Sequence, residues 1–259
     1  MITTLAGAAF LAGAVPLSAA APAWLGKAVS APDRPAAAAA LDAGRKPAEV
    51  LAFLGLKPGM ATADIMTGSG YWAEILANAV GPRGKVTAFE PAQFYNDPDE
   101  QKIWKALAER RQDIDFVRYP FENWSAGGRQ FDFVMLSLNY HDLYWESAEY
   151  RIPRTDPQAF LTALFAAVKP GGVVGIIDHV GAAGDTRAIV DKLHRIDPAV
   201  VKADFERAGF RLEAESPLLA NRSTMTGALR RRLTRSRSRA RNSFHSVTRT
   251  RASAPSMAA

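Results

Sequence analysis

The chain has 259 residues, 48% of them hydrophobic, which is enough for one sizeable α/β core and short for two. Cysteine is absent, which excludes disulfides, a thiolate nucleophile and a thiolate metal site. The formal charge of +6 is unevenly placed: from Ala220 onward there are ten arginines and no acid, so the remaining 22 basic residues face 26 acids and the body is net −4.

In chain order, residues 1–23 read as a secretion signal. Leu5 to Val15 is uncharged and apolar, and Ala21-Pro22-Ala23 offers a small-x-small cleavage site. This implies a periplasmic or secreted protein. Met1-Ile2-Thr3-Thr4 carries no Lys or Arg, so an N-terminal anchor or a cytoplasmic location is the alternative. The Ala/Gly content and the breaks at Pro16 and Pro22 argue against a stable membrane span. Residues 24–44 read as an Ala/Pro-rich linker, and residues 45–219 as one folded domain.

Within that domain a helix starts at Pro47 and ends at Gly55. Lys57-Pro58-Gly59 turns into a strand, Ala61 to Met66, followed by a glycine turn and a helix from Tyr71 to Val80. Lys85 to Phe89 is the second strand. Asp97-Pro98 opens a helix with acids in its first turn and Arg110-Arg111 in its last. Strands follow at Ile114 to Tyr119 and Phe131 to Leu138. A helix opens at Asp156-Pro157, Lys169-Pro170-Gly171-Gly172 leads to a strand at Val173 to Ile177, a helix opens at Asp197-Pro198, and a strand starts at Phe210. Alternating strands and helices predict a doubly wound, mostly parallel, Rossmann-like sheet, with its ligand site at the carboxyl ends of the strands.

The first β-α-β unit carries the chemistry. Gly68-x-Gly70-x-x-Ala73 lets backbone approach a ligand, and Glu90, ending the second strand, can accept from two ribose hydroxyls. The spacing also fits a dinucleotide fingerprint, and an NAD(P)-binding oxidoreductase is the rival reading. Asp64 tilts the choice. A carboxylate within a buried parallel strand needs a partner, and S-adenosylmethionine (SAM) offers an ammonium and a sulfonium with no phosphate.

The succession Lys57-Pro58-Gly59, Asp64-x-x-x-Gly68-x-Gly70, Glu90, Phe131-Asp132 and Lys169-Pro170-Gly171-Gly172 resembles the class I SAM-dependent methyltransferases. Asn139-Tyr140-His141-Asp142, Asp178-His179 and His194-Arg195-Ile196-Asp197 resemble more narrowly a group of bacterial predicted methyltransferases that often carry export signals. The resemblance spans about Arg45 to Ala220. It implies SAM as cofactor and a small-molecule methyl acceptor. Gly68 and Gly70 would border the methionine part, with Asp64 nearby, and Glu90 would hold the ribose. Phe121 and Glu122 would lie by the adenine, and Asn139 and Tyr140 at the methyl end.

Three departures stand out. Met66 occupies the place of the loop's usual first glycine, where a side chain could crowd the cofactor. Pro120 replaces the usual acid after the third strand. The antiparallel strand that normally completes the sheet is not evident: residues 220–259 read as an Arg/Ser-rich, low-complexity, disordered tail, either a basic arm or an out-of-frame ending. Loss of that strand would leave unpaired sheet edges and marginal stability. No nucleic-acid function is inferred from the tail.

Methyl transfer needs alignment of nucleophile, methyl carbon and sulfur, and a base only where the acceptor must lose a proton. His141 is the candidate base, and Asp142 its orienting group or a substrate contact. Asp178-His179 is a second pair. Asp197 is explained as a helix cap. No two histidines show a short ligand spacing, so no metal is expected. A non-catalytic relative, altered at Met66 and in its tail, is the remaining alternative.

Overall fold

The computed structural model describes residues 20–96, 98–220 and 245–252. Nearly all of the expected signal, the Asp97 helix start and most of the basic tail lie outside the described residues.

Seven described strands form one sheet in the order β3-β2-β1-β4-β5-β7-β6. They are β1 (Ala61–Ile65), β2 (Lys85–Pro91), β3 (Ile114–Tyr119), β4 (Phe131–Ser137), β5 (Val168–His179), β6 (Phe210–Ser216) and β7 (His245–Ala252). The pairings among β1 to β5 are parallel. The order reverses between β1 and β4, and the crevice at their carboxyl ends is where an open α/β sheet binds ligand. The sheet is predominantly apolar where it is central: Ala63, Ile65, Phe133, Val134 and Leu136 are fully buried.

Helices cover both faces. The helix α5 (Tyr71–Val80) follows the glycine turn and is buried at nine of its ten positions, against β1 and β2. The helices α6 (Pro98–Arg110), α7 (Pro157–Ala167), α8 (Thr186–Leu193) and α9 (Pro198–Arg207) complete the described shell. Three of them begin on aspartates whose carboxylates accept backbone N–H groups: Asp156 from Gln158 in α7, Asp185 from Ala188 in α8, and Asp197 from Ala199 in α9. Asp197 is therefore a cap, as its position before Pro198 suggests.

The strand expected to be missing is present. The β7 strand runs antiparallel between β5 and β6, with Val173 opposite Arg251 and Phe210 opposite Ala252. Its arginines obscure a two-residue period. Thr248, Thr250 and Ala252 are buried on one face. On the other, Arg249 and Arg251 reach the Glu213 carboxylate at 3.0 and 2.6 Å. Thr and Val suit a pleated strand, and Glu213 offsets part of the cost of the two charges, although burial and the neighbouring Arg251 still hold the Arg249 guanidinium pKa below its ordinary value. The edges of β5 and β6 are thereby paired, so the marginal stability expected from open edges does not follow.

Residues 24–44 are likewise more than a linker. The helix α1 (Ala23–Val29) buries Leu25 and Ala28 against α5. The short helices α2 (Ala36–Ala39) and α3 (Asp42–Arg45) lead to α4 (Pro47–Leu54). Arg34 grips Asp42 through two bonds of 2.7 and 2.9 Å, and the Tyr71 hydroxyl donates to the same carboxylate at 2.7 Å. The Ala/Pro composition hides an i, i+3, i+4 spacing of apolar residues at Leu25, Ala28 and Val29. No described helix is long and apolar enough to cross a membrane.

Candidate cofactor site

A cavity of about 250 Å³ opens at the carboxyl ends of β1, β2 and β4. Asp64, Gly68, Glu90, Asn139 and Asp142 line it together, joined by Arg45, Met66 and Tyr71. A larger cavity of about 950 Å³ lies at the opposite, amino ends of the strands, around Ala61, Lys85 and Lys169, away from the topological switch.

The loop after β1 is held from several sides. Thr67 donates its hydroxyl to Asp64 Oδ2 at 2.6 Å. Trp104 of α6 donates its indole N–H to the Gly68 carbonyl at 2.7 Å. Asn139 donates its amide to the carbonyls of Ile65 and Met66, both at 2.9 Å, tying the end of β4 to the end of β1. Its Oδ1 is buried with no protein partner and is left to accept from a ligand.

The two glycines play different parts. A Cβ at Gly68, whose φ is +55°, would meet nothing within 4 Å; it would stand in the cavity. Gly70, with φ +77°, does not line the cavity. A Cβ there would come within 2.5 Å of the tip of the Leu107 side chain of α6, so at Gly70 the positive φ and the packing of α6, rather than ligand approach, favour glycine.

Glu90 is 4% exposed and accepts the Gly68 N–H at 2.9 Å. Burial pushes its carboxyl up to about 8. The Gly68 N–H pulls the other way, while the negative charges of Glu100, Asp64 and Asp142 add to the rise. Burial likewise lifts Asp64 to about 7 against the Thr67 hydroxyl, the Ala73 N–H and the charge of Arg45. The cavity thus brings three carboxyl groups, those of Asp64, Glu90 and Asp142, together with the Arg45 guanidinium, which stacks 4.3 Å over the Tyr71 ring.

Other expected site residues stand back from the cavity. Tyr140 is fully buried and donates to Asp204 Oδ2 at 2.8 Å. Phe121 packs on Phe94 at 5.4 Å, and Glu122 accepts from Gln93 at 3.0 Å. Phe94 and Gln93 in turn line a second cavity of about 660 Å³ with Trp145 and Tyr150. His141 is buried behind Asp142. Its Nδ1 lies 2.7 Å from Asp178 Oδ1 and its backbone N–H donates to Asp178 Oδ2 at 2.9 Å. The orienting role expected of Asp142 therefore falls to Asp178, while Asp142 lies 3.3 Å from Nε2. Burial lowers the His141 pKa, but the Asp178 charge and hydrogen bond, with Asp142, outweigh it and carry the ring to about 9.

Arg45, Tyr71, Trp72 and Ser137 are cavity residues that sequence reasoning did not single out. Tyr71 and Trp72 had a signal: they open α5 directly after the glycine turn. Arg45 had none, because its place depends on the strap formed by α1 to α4.

The model of the protein-L-isoaspartate(D-aspartate) O-methyltransferase family matches residues 35–110, the stretch that builds the glycine loop and Glu90. A demethylmenaquinone methyltransferase of Bacillus cytotoxicus is 26% identical over 129 residues, 49% of this chain and 47% of that protein. The chain thus spans about half the length of that curated relative. Among solved structures, a SAM-dependent methyltransferase from Aquifex aeolicus superposes with a TM-score of 0.55 at 19% identity, over 86% of this chain and 95% of its own. One from Mesorhizobium loti gives 0.53 at 16%, over 80% and 97%. The [4+2]-cyclase SpnF shares the fold too, at 0.55 and 13% identity over 82% of each chain, so this architecture hosts more than one chemistry. Sheet order, glycine loop, terminal acid and sequence likeness agree: the chain has the fold of the class I SAM-dependent methyltransferases and is similar to them in sequence.

Proposed function

We propose that the protein transfers a methyl group from SAM to a small-molecule acceptor. The observation that carries this reading is the pair of buried acids, Asp64 and Glu90, on either side of the open space at Gly68. Cationic, diol-bearing SAM suits that pair, and it supplies a methyl group on a positively charged sulfur. Glu90 would hold the ribose hydroxyls while keeping the Gly68 N–H. Asp64 would face the ammonium of the methionine part, and Arg45 its carboxylate. The unpartnered Asn139 Oδ1 adds one acceptor at the loop. The chain's own part is chiefly alignment and exclusion of water.

Phe94 is common to the 250 Å³ cavity and the 660 Å³ one, which also offers Trp145 and Tyr150. That second cavity is the space for an acceptor with an apolar, planar part.

Isothermal calorimetry with SAM, S-adenosylhomocysteine and NAD tests the reading. Micromolar binding of the first two, without NAD, is the expected result. Silence from both in a sample that melts cooperatively would sink it and favour a non-catalytic relative.

The apolar run Leu5 to Val15 supports export to the periplasm or beyond. A reporter active only outside the cytoplasm, fused to residues 1–23, is expected to be active; an inactive fusion refutes export.

A further inference from the structure

Beside the cofactor cavity the fold assembles a cluster that sequence spacing hides. His141 and Asp142 lie on the turn after β4, and His194 caps the far end of α8. One nitrogen of each imidazole and one Asp142 oxygen lie within 4.8 Å of one another. His141 Nε2 is 3.3 Å from Asp142 Oδ1, and His194 Nδ1 is 3.8 Å from the same oxygen.

The other ring nitrogen of His141 is committed to Asp178, 2.7 Å away. Nε2 is therefore the nitrogen that faces Asp142 Oδ1. Their 3.3 Å separation matches two ligands of one tetrahedral ion at roughly 2.0–2.1 Å. A carboxylate on the far nitrogen is also the usual device that fixes a metal-binding imidazole.

We propose that His141, Asp142 and His194 bind a divalent first-row transition-metal ion, with Asp178 as the positioning residue. Two imidazoles and one carboxylate leave coordination positions open. Asp142 lines the cofactor cavity. Trp145, which packs 5.1 Å from His194, lines the neighbouring 660 Å³ cavity. The open positions therefore border the acceptor's space. Given the methyltransferase reading, the acceptor class is one that offers an oxygen ligand, and a bound hydroxyl there would lose its proton more readily.

The competing occupant is a proton on Nε2. To separate the two, untagged full-length chain is stripped with chelator and titrated with Co(II), followed by its visible ligand-field absorption. SAM is titrated into the same sample by calorimetry. We expect one ion per chain and an intense low-symmetry Co(II) spectrum. His194→Ala, at a half-exposed position, should weaken Co(II) at least tenfold while keeping SAM binding. Asp178→Asn should weaken Co(II) by about 10–100-fold. Co(II) affinity within twofold between wild type and His194→Ala, or no spectrum in a sample that binds SAM, overturns the metal site and leaves the cofactor reading standing. The spectrum in a sample that ignores SAM supports the metal site and removes the methyltransferase reading instead.

Discussion

Glu90 decides how the cofactor site responds to pH. Its carboxyl rises from an ordinary 4.5 to about 8, and Asp64 rises from 3.8 to about 7, both mainly through burial. An acid whose folded pKa is raised holds its proton longer when folded. The ligand-free protein therefore loses stability as pH climbs from the unfolded values to about 8. Ribose hydroxyls and an ammonium favour the ionised forms, so SAM affinity should rise between pH 6 and about 8 and then level off. Within that range, binding should release protons. Calorimetry at pH 7 in two buffers of different ionisation enthalpy reads this directly, and identical heats would contradict it. Glu90→Gln should cost about 1.5–3 kcal/mol of SAM binding, roughly ten- to hundredfold, as a charged hydrogen-bond acceptor is lost. Met66 is a case where position mattered more than identity. It adopts φ +54° where glycine is usual, lines the cavity and is packed in the core cluster. Met66→Gly should relieve about 1–2 kcal/mol of left-handed strain but give up about 2–5 kcal/mol of core packing. A net loss of thermal stability is expected, and a gain would show that the side chain is poorly packed.

The glycine turn illustrates what a motif can and cannot say. Both glycines have positive φ, so both were legible as turn residues. Only the packed structure separates them, because the atom that a Cβ at Gly70 would displace belongs to Leu107 on α6. Gly70→Ala should destabilise by about 2–4 kcal/mol, combining strain with overpacking, and Gly68→Ala by about 1–2 kcal/mol. SAM affinity should fall more for Gly68→Ala. The reverse ranking in calorimetry and melts would refute this division. Elements with strong punctuation were readable: Pro47 and Gly55 bound α4, and Asp197 caps α9. The α1 helix and β7 were not. Alanine content masked one and arginine content the other, and each is stabilised by residues far off in the chain: α5 for α1, Glu213 for β7. The site showed the same split. Asp64 and Glu90 sit near strand ends, Gly68 and Asn139 follow strand ends by two or three residues, and all four could be placed from sequence. Arg45 and the meeting of His141 with His194 depend on long-range folding.

Across the whole molecule, the charge ledger and the sheet meet in β7. The tail's arginines raise the formal charge to +6, yet Arg249 and Arg251 serve as the ion-pair partners of Glu213 within the sheet. Ending the chain after residue 244 should leave the edges of β5 and β6 open. Such a variant is expected to lose its cooperative melt and to aggregate in size-exclusion chromatography. A monodisperse, cooperatively melting product would mean that β7 adds little.

The position of β7 also sets an order of events during synthesis. It is the last described strand to leave the ribosome, yet it occupies an inner place, between two strands made earlier. A nascent chain can close the region from β1 to β4 early, but β6 has no sheet neighbour until residues 245–252 emerge. Completion of the sheet therefore waits for residues 245–252, and any factor that meets the growing chain before then meets it unfinished.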